Sequence, residues 1–336
     1  MVKIAVLGAG INGLASAVKI QEAYEDAEVV LIANEFTPDT TADGSGGLWN
    51  PYLCGSTPED RLAKWGSETY KLLHQLWLEG GYNICLIPIY DFYRNSQQLK
   101  RPLWANTVFG YQQFDETQLK YYSQFYNVEY KAGITFVTFV VHSSSILKYL
   151  TEKFKIAKGK IMRAKVASLG EPLLREFDVV INCTGLGARD LVPDSSVFPI
   201  RGQISRMIAP WVNVVVIDED SGHYIIPNTE TCVLGGTHQE HDYNTHINNA
   251  DTEFIHDGCR TIMPGLKHAK LVKHWVGLRP GRHEVRLEAE ERDGKLIIHN
   301  YGHGGSGLTL FWGCAEGVVE ILKKTIPSKK LQKSKL

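Results

Sequence analysis

The chain has 336 residues, 43% apolar and 22% charged, with 36 basic against 37 acidic side chains and a net charge of −1. That length suits about two domains and the composition suits an ordinary globular core. The charge balance argues against a nucleic-acid surface, which needs a basic excess, and no apolar run approaches the roughly 18 residues of a membrane span.

In chain order, Met1-Val2-Lys3 leads into the short apolar run Ile4–Leu7, too brief for a secretory segment. Lys3–Leu7 reads as a strand, Gly8–Gly13 as a tight turn, and Leu14, Ala17, Val18 and Ile20 recur at helical spacing. Glu28–Ala33 is a second buried strand, and residues 36–53 are a Gly/Thr/Asp-rich loop. Leu62–Trp77 and Ile146–Phe154 read as helices, and Ile134–Val141 and the region 198–237 are rich in strand formers. Phe177–Cys183 is a buried strand, Lys295–His299 another, and Gly307–Lys323 closes the chain as a helix.

This order predicts an α/β protein in which a discontinuous Rossmann-like nucleotide domain, from residues 1–53, 144–200 and 295–326, meets a second, sheet-rich domain from 54–143 and 201–294. Residues 327–336 form a tail whose lysines, Lys329, Lys330, Lys333 and Lys335, read as solvated charge. Ser334-Lys335-Leu336 reads as a peroxisomal import signal, so the peroxisomal matrix and its import receptor are the expected location and partner. The cysteines Cys54, Cys85, Cys183, Cys232, Cys259 and Cys314 have no CxxC spacing. They read as reduced core thiols, and no metal site is expected.

Gly8-x-Gly10-x-x-Gly13 lies between a strand and a helix, the context a dinucleotide fingerprint requires. Gly8 permits the tight turn, Gly10 lets a pyrophosphate approach the backbone, and Gly13 lets the helix close on the strand. Backbone N–H groups from Gly10 and Ile11 onward face the phosphates with the positive end of the helix dipole. The motif alone does not separate FAD from NAD. The acidic residue usual after the second strand is replaced: that end reads Ala33-Asn34-Glu35, leaving Asn34 to hydrogen-bond the ribose.

Three further blocks carry a family resemblance. They are Phe36–Asp43 running into Gly46–Tyr52, Gly277-Leu278-Arg279-Pro280 followed by Val285–Glu288, and His299–Thr309 with Trp312-Gly313. With the fingerprint and Asn182-Cys183-Thr184-Gly185, they resemble the D-amino-acid and D-aspartate oxidases from about residue 3 to 322. The resemblance implies non-covalent FAD between the two domains. It places Thr40, Thr41, Gly46, Gly47 and Leu48 along the pyrophosphate and flavin, and Val166 on a strand near the adenine. It places Gly304, Gly305, Leu308 and Thr309 at the flavin's pyrimidine end, where backbone N–H groups can meet developing negative charge.

The same resemblance gives Arg279 the substrate α-carboxylate, a group whose planar fork suits a bidentate grip. It gives Tyr224 the same carboxylate and lets the Gly305 backbone accept from the amine, with Tyr52 behind them. It implies no acid–base side chain: hydride leaves the α-carbon for FAD, O2 reoxidises the cofactor, and peroxide, ammonia and a 2-oxo acid result. Gly185–Arg189, Phe198–Gln203 and Gly235-Gly236-Thr237 lean towards the D-aspartate branch, which predicts acidic D-amino acids as substrates. The two arginines typical of vertebrate acidic-substrate enzymes are replaced by Ile217 and His238, leaving His238, His223 or Arg282 to compensate. Neutral or basic substrates, an NAD-dependent dehydrogenase and an inactive flavin-binding relative stay open as alternatives, and so does a homodimer.

Overall fold

The computed structural model describes residues 2–95 and 99–325, so Ser334-Lys335-Leu336 and the lysine tail lie outside the described residues. Two sheets organise the chain. The first has six strands in the spatial order Arg286–Arg292, Lys295–Tyr301, Val179–Asn182, Lys3–Leu7, Glu28–Ala33, Lys160–Arg163. All neighbours pair in parallel except the hairpin 286–301. Both faces are buried, as a parallel sheet requires. Ile4, Val6, Leu31 and Ile181 point to helices Ile11–Ala23, Ser143–Ile156 and Gly307–Thr325, while Ala5, Leu7, Ile32 and Val180 pack against Leu174, Ala188 and Leu191.

The second sheet has nine strands, and Phe198–Ile208 is its spine. Along one edge of the spine runs Lys270–Gly281. From the other side the order is Cys232–Gly235, His223–Pro227, Val215–Asp218, Ile84–Tyr93, Ala132–Val141, Phe109–Gln113, with short Gln239–Glu240 also on the spine. Period-2 alternation separates its faces. Phe92, Val216, Ile225 and Leu234 point outward to helix Asn249–Ile262, whereas Ile89, Val215, Ile226, Val233 and Ile204 point inward to Trp49 and the 46–52 loop. This inner face is the one the first sheet's loops reach.

Three expectations meet a different geometry. The boundary at 294 cuts a hairpin, because 286–292 pairs with 295–301 along its full length in the first sheet. Helix Glu59–Glu79, assigned with the second domain, buries Trp65 against Leu310 and Cys314 of the C-terminal helix. Val166, expected on a strand, lies beyond the strand that ends at Arg163 and packs beside Val30 and Ile32.

All six cysteines are free thiols, five of them buried. Among the described residues no group of three or more His, Cys, Asp or Glu is placed to hold a metal, and no helix is long and apolar enough to cross a membrane.

Candidate functional site

The strand Lys3–Leu7 ends in Gly8 at φ +100°, a conformation L side chains avoid, with its N–H bonded to Ile32 O at 2.9 Å. A Cβ on Gly13 would stand 1.8 Å from the Gly8 carbonyl oxygen, so only glycine lets the helix close on the turn. Gly10 differs: a Cβ there would meet nothing within 4 Å, so its missing side chain leaves space for something other than protein. Gly10 caps helix 11–23 with no side-chain hydrogen bond, and no acidic residue sits in the first turn. Its orphan N–H donors are therefore free for an anion.

The C-terminal helix starts beside it. A Cβ on Gly307 would lie 3.7 Å from Ile11 Cγ2 and 3.9 Å from Asn12 Nδ2, so two positive helix ends converge. Asn12 donates to His303 Nδ1 at 3.3 Å, leaving Asn12 Oδ1 and His303 Nε2 buried without partners. Burial lowers the His303 pKa to about 4, which keeps the ring neutral. Unpartnered polar atoms beside two converging helix starts are what a polar, phosphate-bearing cofactor would satisfy. The residues thus fit FAD, with Gly8, Gly10, Ile11 and Gly13 at the pyrophosphate.

The 40–52 loop is tied to both halves. Asp43 accepts from Thr37 Oγ1 at 2.6 Å, Thr40 Oγ1 at 2.7 Å and Ser144 Oγ at 2.8 Å. Thr40 is therefore spent on Asp43, whereas Thr41 is exposed, with Oγ1 at 3.5 Å from Leu278 O. Arg206, buried under the loop, donates to Ser45 O at 2.8 Å. Gly46 faces Ile226, and a Cβ on Gly47 (φ +78°) would strike Val141 O at 1.9 Å. Leu48 bridges to Val140.

The other chain end closes on this loop. Ser306 Oγ accepts from Tyr52 N at 2.7 Å and donates to Tyr52 O at 2.8 Å. Thr309 Oγ1 does the same for Asn50, at 3.2 and 2.9 Å. Gly304, at φ +53°, could carry no Cβ, which would stand 1.9 Å from Leu53 O. The Tyr52 ring lies on Gly305, 2.5 Å from where a Cβ would be. Leu308 is buried in the core shared with Ile11.

Above this seam stand Arg279 and Tyr224, each over a glycine of the second sheet. The Arg279 guanidinium crosses Gly202, where a Cβ would lie 2.2 Å from Nη1, and donates to Thr237 O at 3.0 Å. The Tyr224 ring covers Gly235, where a Cβ would lie 2.1 Å from Cζ. Both phenols are electrostatically coupled to Arg279. Burial raises Tyr52 to about 12 and raises Tyr224 as well, with Arg279 opposing the shift in both. Two protonated phenols and one partly accessible guanidinium form a cluster that donates hydrogen bonds to an anion such as a carboxylate.

The structure therefore brings Arg279, Tyr224, Tyr52 and Gly305 together. Other sequence candidates fall elsewhere. His238 is exposed at the rim, its ring beside Gly222. His223 turns to the outer face, with Nδ1 and Ser221 Oγ at 2.9 Å and Nε2 and Phe254 O at 3.0 Å. Arg282 is held by Asp194 at 3.0 Å. Neither His223 nor Arg282 replaces a missing arginine. Asn34 is exposed and its carbonyl accepts from Arg163 Nη1 at 2.7 Å. Asp43, Ser306, Gly202 and Gly235 shape the site without having been assigned roles from sequence. All four sat inside quoted sequence blocks, but as letters of a pattern and without a role of their own.

Residues 3–321 match the family model described as FAD dependent oxidoreductase. The D-amino acid oxidase of Dugesia ryukyuensis is 38% identical over 98% of this chain and 99% of its own length. The D-aspartate oxidase of Homo sapiens is 33% identical over 96% and 95%. Among solved structures, the L-alpha-glycerophosphate oxidase of Mycoplasma pneumoniae with FAD bound has TM-score 0.78 and 16% identity, covering 96% of this chain and 95% of that one. At that identity the likeness concerns the fold alone.

Proposed function

The chain belongs to the FAD dependent oxidoreductase family that it matches from residue 3 to 321, and on that premise we propose that it oxidises D-amino acids. The balanced reaction converts a D-amino acid, O2 and water into a 2-oxo acid, ammonia and hydrogen peroxide. The observation that carries this reading is that Arg279 and two buried phenols, Tyr224 and Tyr52, stand near enough to feel one another's charge, with the Tyr52 ring on Gly305. FAD, when bound, would supply the two-electron redox chemistry that links the α-carbon to O2.

The chain's own residues bind and orient. Arg279 offers N–H groups to the α-carboxylate, and the Tyr224 phenol adds a neutral donor. Tyr52, also protonated, lines the same point. Because burial holds both phenols protonated, they donate rather than take the ammonium proton, which leaves to solvent. Fixing the carboxylate and directing the amine to the Gly305 carbonyl leaves one hydrogen of the α-carbon facing the cofactor, so binding imposes chirality and supplies part of the rate.

Peroxide release from the FAD-loaded protein tests this with D-alanine and D-methionine against their L isomers. The D isomers are expected to turn over and the L isomers not. Equal rates on both, or none on either, refute the reading.

A further inference from the structure

The inner face of the second sheet also carries an acidic pair that the carboxylate grip does not use. Register sets Asp91, Ile217 and Tyr224 side by side on three adjacent strands. Strands lie about 4.8 Å apart, so Asp91 is roughly 10 Å from Tyr224 along that row. Glu219 follows strand Val215–Asp218, and alternation from Val215 and Ile217 puts it on the same face. Its N–H bonds Phe92 O at 3.0 Å, which prolongs the ladder beyond the strand.

The acidic residues on either side of Glu219 are each partnered by Arg94. Asp218 turns outward and takes the Arg94 guanidinium, with Nε at 2.9 Å. Asp220 accepts from the Arg94 backbone N–H at 2.6 Å. Among the described residues Glu219 has no cationic partner: burial, then Asp220 and Asp218, all push its carboxyl up. Asp91 is 3% exposed, and its Oδ1 has no hydrogen-bond partner. Among the described residues its Oδ2 accepts only from Tyr93 Oη, at 3.3 Å. A half-satisfied carboxyl in the middle of a buried strand opposes folding, and among the described residues no cation compensates it. The buried Tyr52 phenol is near enough to feel Arg279, Tyr224 and Glu219 alike.

We propose that Glu219, with Asp91 behind it, is the subsite for the substrate side chain and takes a cationic group, so that D-lysine and D-arginine are preferred to D-aspartate and D-glutamate. The proposal rests on the D-amino-acid reading above and reverses the acidic preference expected from the sequence blocks. With its carboxylate on Arg279, a D-amino acid directs its side chain along the row towards Glu219. A lysine or arginine stem covers Ile217 and places its charge at the far end. There it forms charge-assisted hydrogen bonds with the Glu219 carboxylate. An aspartate or glutamate side chain would meet carboxyls, since Arg94 is held by Asp218 and Arg279 is occupied by the α-carboxylate. The exposed rim residue His238 also lies beside this turn, at Gly222.

Steady-state peroxide release from the holoenzyme with D-lysine, D-arginine, D-alanine and D-aspartate tests the subsite in wild type, Glu219→Gln and Asp91→Asn. Wild type is expected to show kcat/KM on D-lysine and D-arginine about tenfold or more above D-aspartate. Glu219→Gln is expected to lose about tenfold more on D-lysine and D-arginine than on D-alanine, mainly through KM, as removal of a charged partner does. A wild-type preference for D-aspartate overturns the proposal, and so does a Glu219→Gln loss equal on every substrate. If Glu219→Gln fails to fold, the wild-type ranking still decides. Oxidation of D-alanine with no preference for basic substrates sinks the subsite alone, whereas no oxidation of any D-amino acid sinks the reading beneath it.

Discussion

The two sides of the site are built from opposite materials. On the cofactor side the work is done by backbone: Gly8, Gly10 and Gly13 at one chain end, Gly304 and Gly305 at the other, and the start of helix 11–23, which has no side-chain cap. On the substrate side it is done by side chains standing on strands, and glycines there serve as gaps beneath Arg279 and Tyr224. A site made of backbone tolerates no added atom. A site made of side chains loses graded amounts of function when one group is removed.

The largest effect is therefore expected at Gly13. Gly13→Ala puts a methyl group 1.8 Å from the Gly8 carbonyl, so the turn must open and the flavin be lost. The purified variant should be colourless or insoluble, and a yellow, active Gly13→Ala protein would break the comparison. Next comes Arg279→Ala, with kcat/KM expected to fall on the order of a thousandfold while bound FAD stays, since a charged anchor is lost. Kinetics like those of the wild type would remove Arg279 from the carboxylate.

Gly202→Ala sharpens the same contrast, because it adds one methyl where the Arg279 guanidinium lies 2.2 Å away. The side chain can shift, so KM should rise about tenfold with FAD retained, as for a displaced hydrogen-bonding group. An unchanged KM would mean that the guanidinium does not need that channel.

The smallest effect concerns stability. Burial, reinforced by Glu219 and Asp218, holds the Asp91 carboxyl well above its ordinary range in the folded state. Above its unfolded pKa the unfolded chain gives up this proton while the folded chain keeps it, so Asp91 opposes folding increasingly as pH rises towards the folded pKa. Asp91→Asn should raise Tm at neutral pH by a few degrees, with less gain near pH 4 (about the unfolded carboxyl value). A drop in Tm at pH 7 would show that Asp91 is internally compensated.

These contrasts also explain what the sequence disclosed. A turn that needs three glycines is a local demand, so Gly8-x-Gly10-x-x-Gly13 is visible in a row of letters, and so are the strand before it and the helix after it. The 299–309 block and Arg279 were visible for the same reason, within contiguous motifs. Gly202 and Gly235 were not given a role, because each makes room for a side chain far away in sequence. The boundary expected at 294 fell inside a hairpin because pairing across 286–301 is a long-range choice that composition does not reveal. Glu219 and Asp91 looked like ordinary acidic residues. Their shared face emerges only when strands 84–93, 215–218 and 223–227 are set in register. His223 and Arg282, candidates by residue type, are taken by Phe254 and Asp194.

In the proposed reaction Arg279 and Tyr224 hold an amino acid in one hand over a cofactor gripped by both chain ends. Anaerobic mixing of the FAD-loaded protein with D- and L-methionine, followed by visible absorbance, tests it most directly. The yellow colour is expected to bleach with the D isomer alone, and far more slowly in Arg279→Ala than in wild type. Bleaching by both isomers, or by neither, would contradict it.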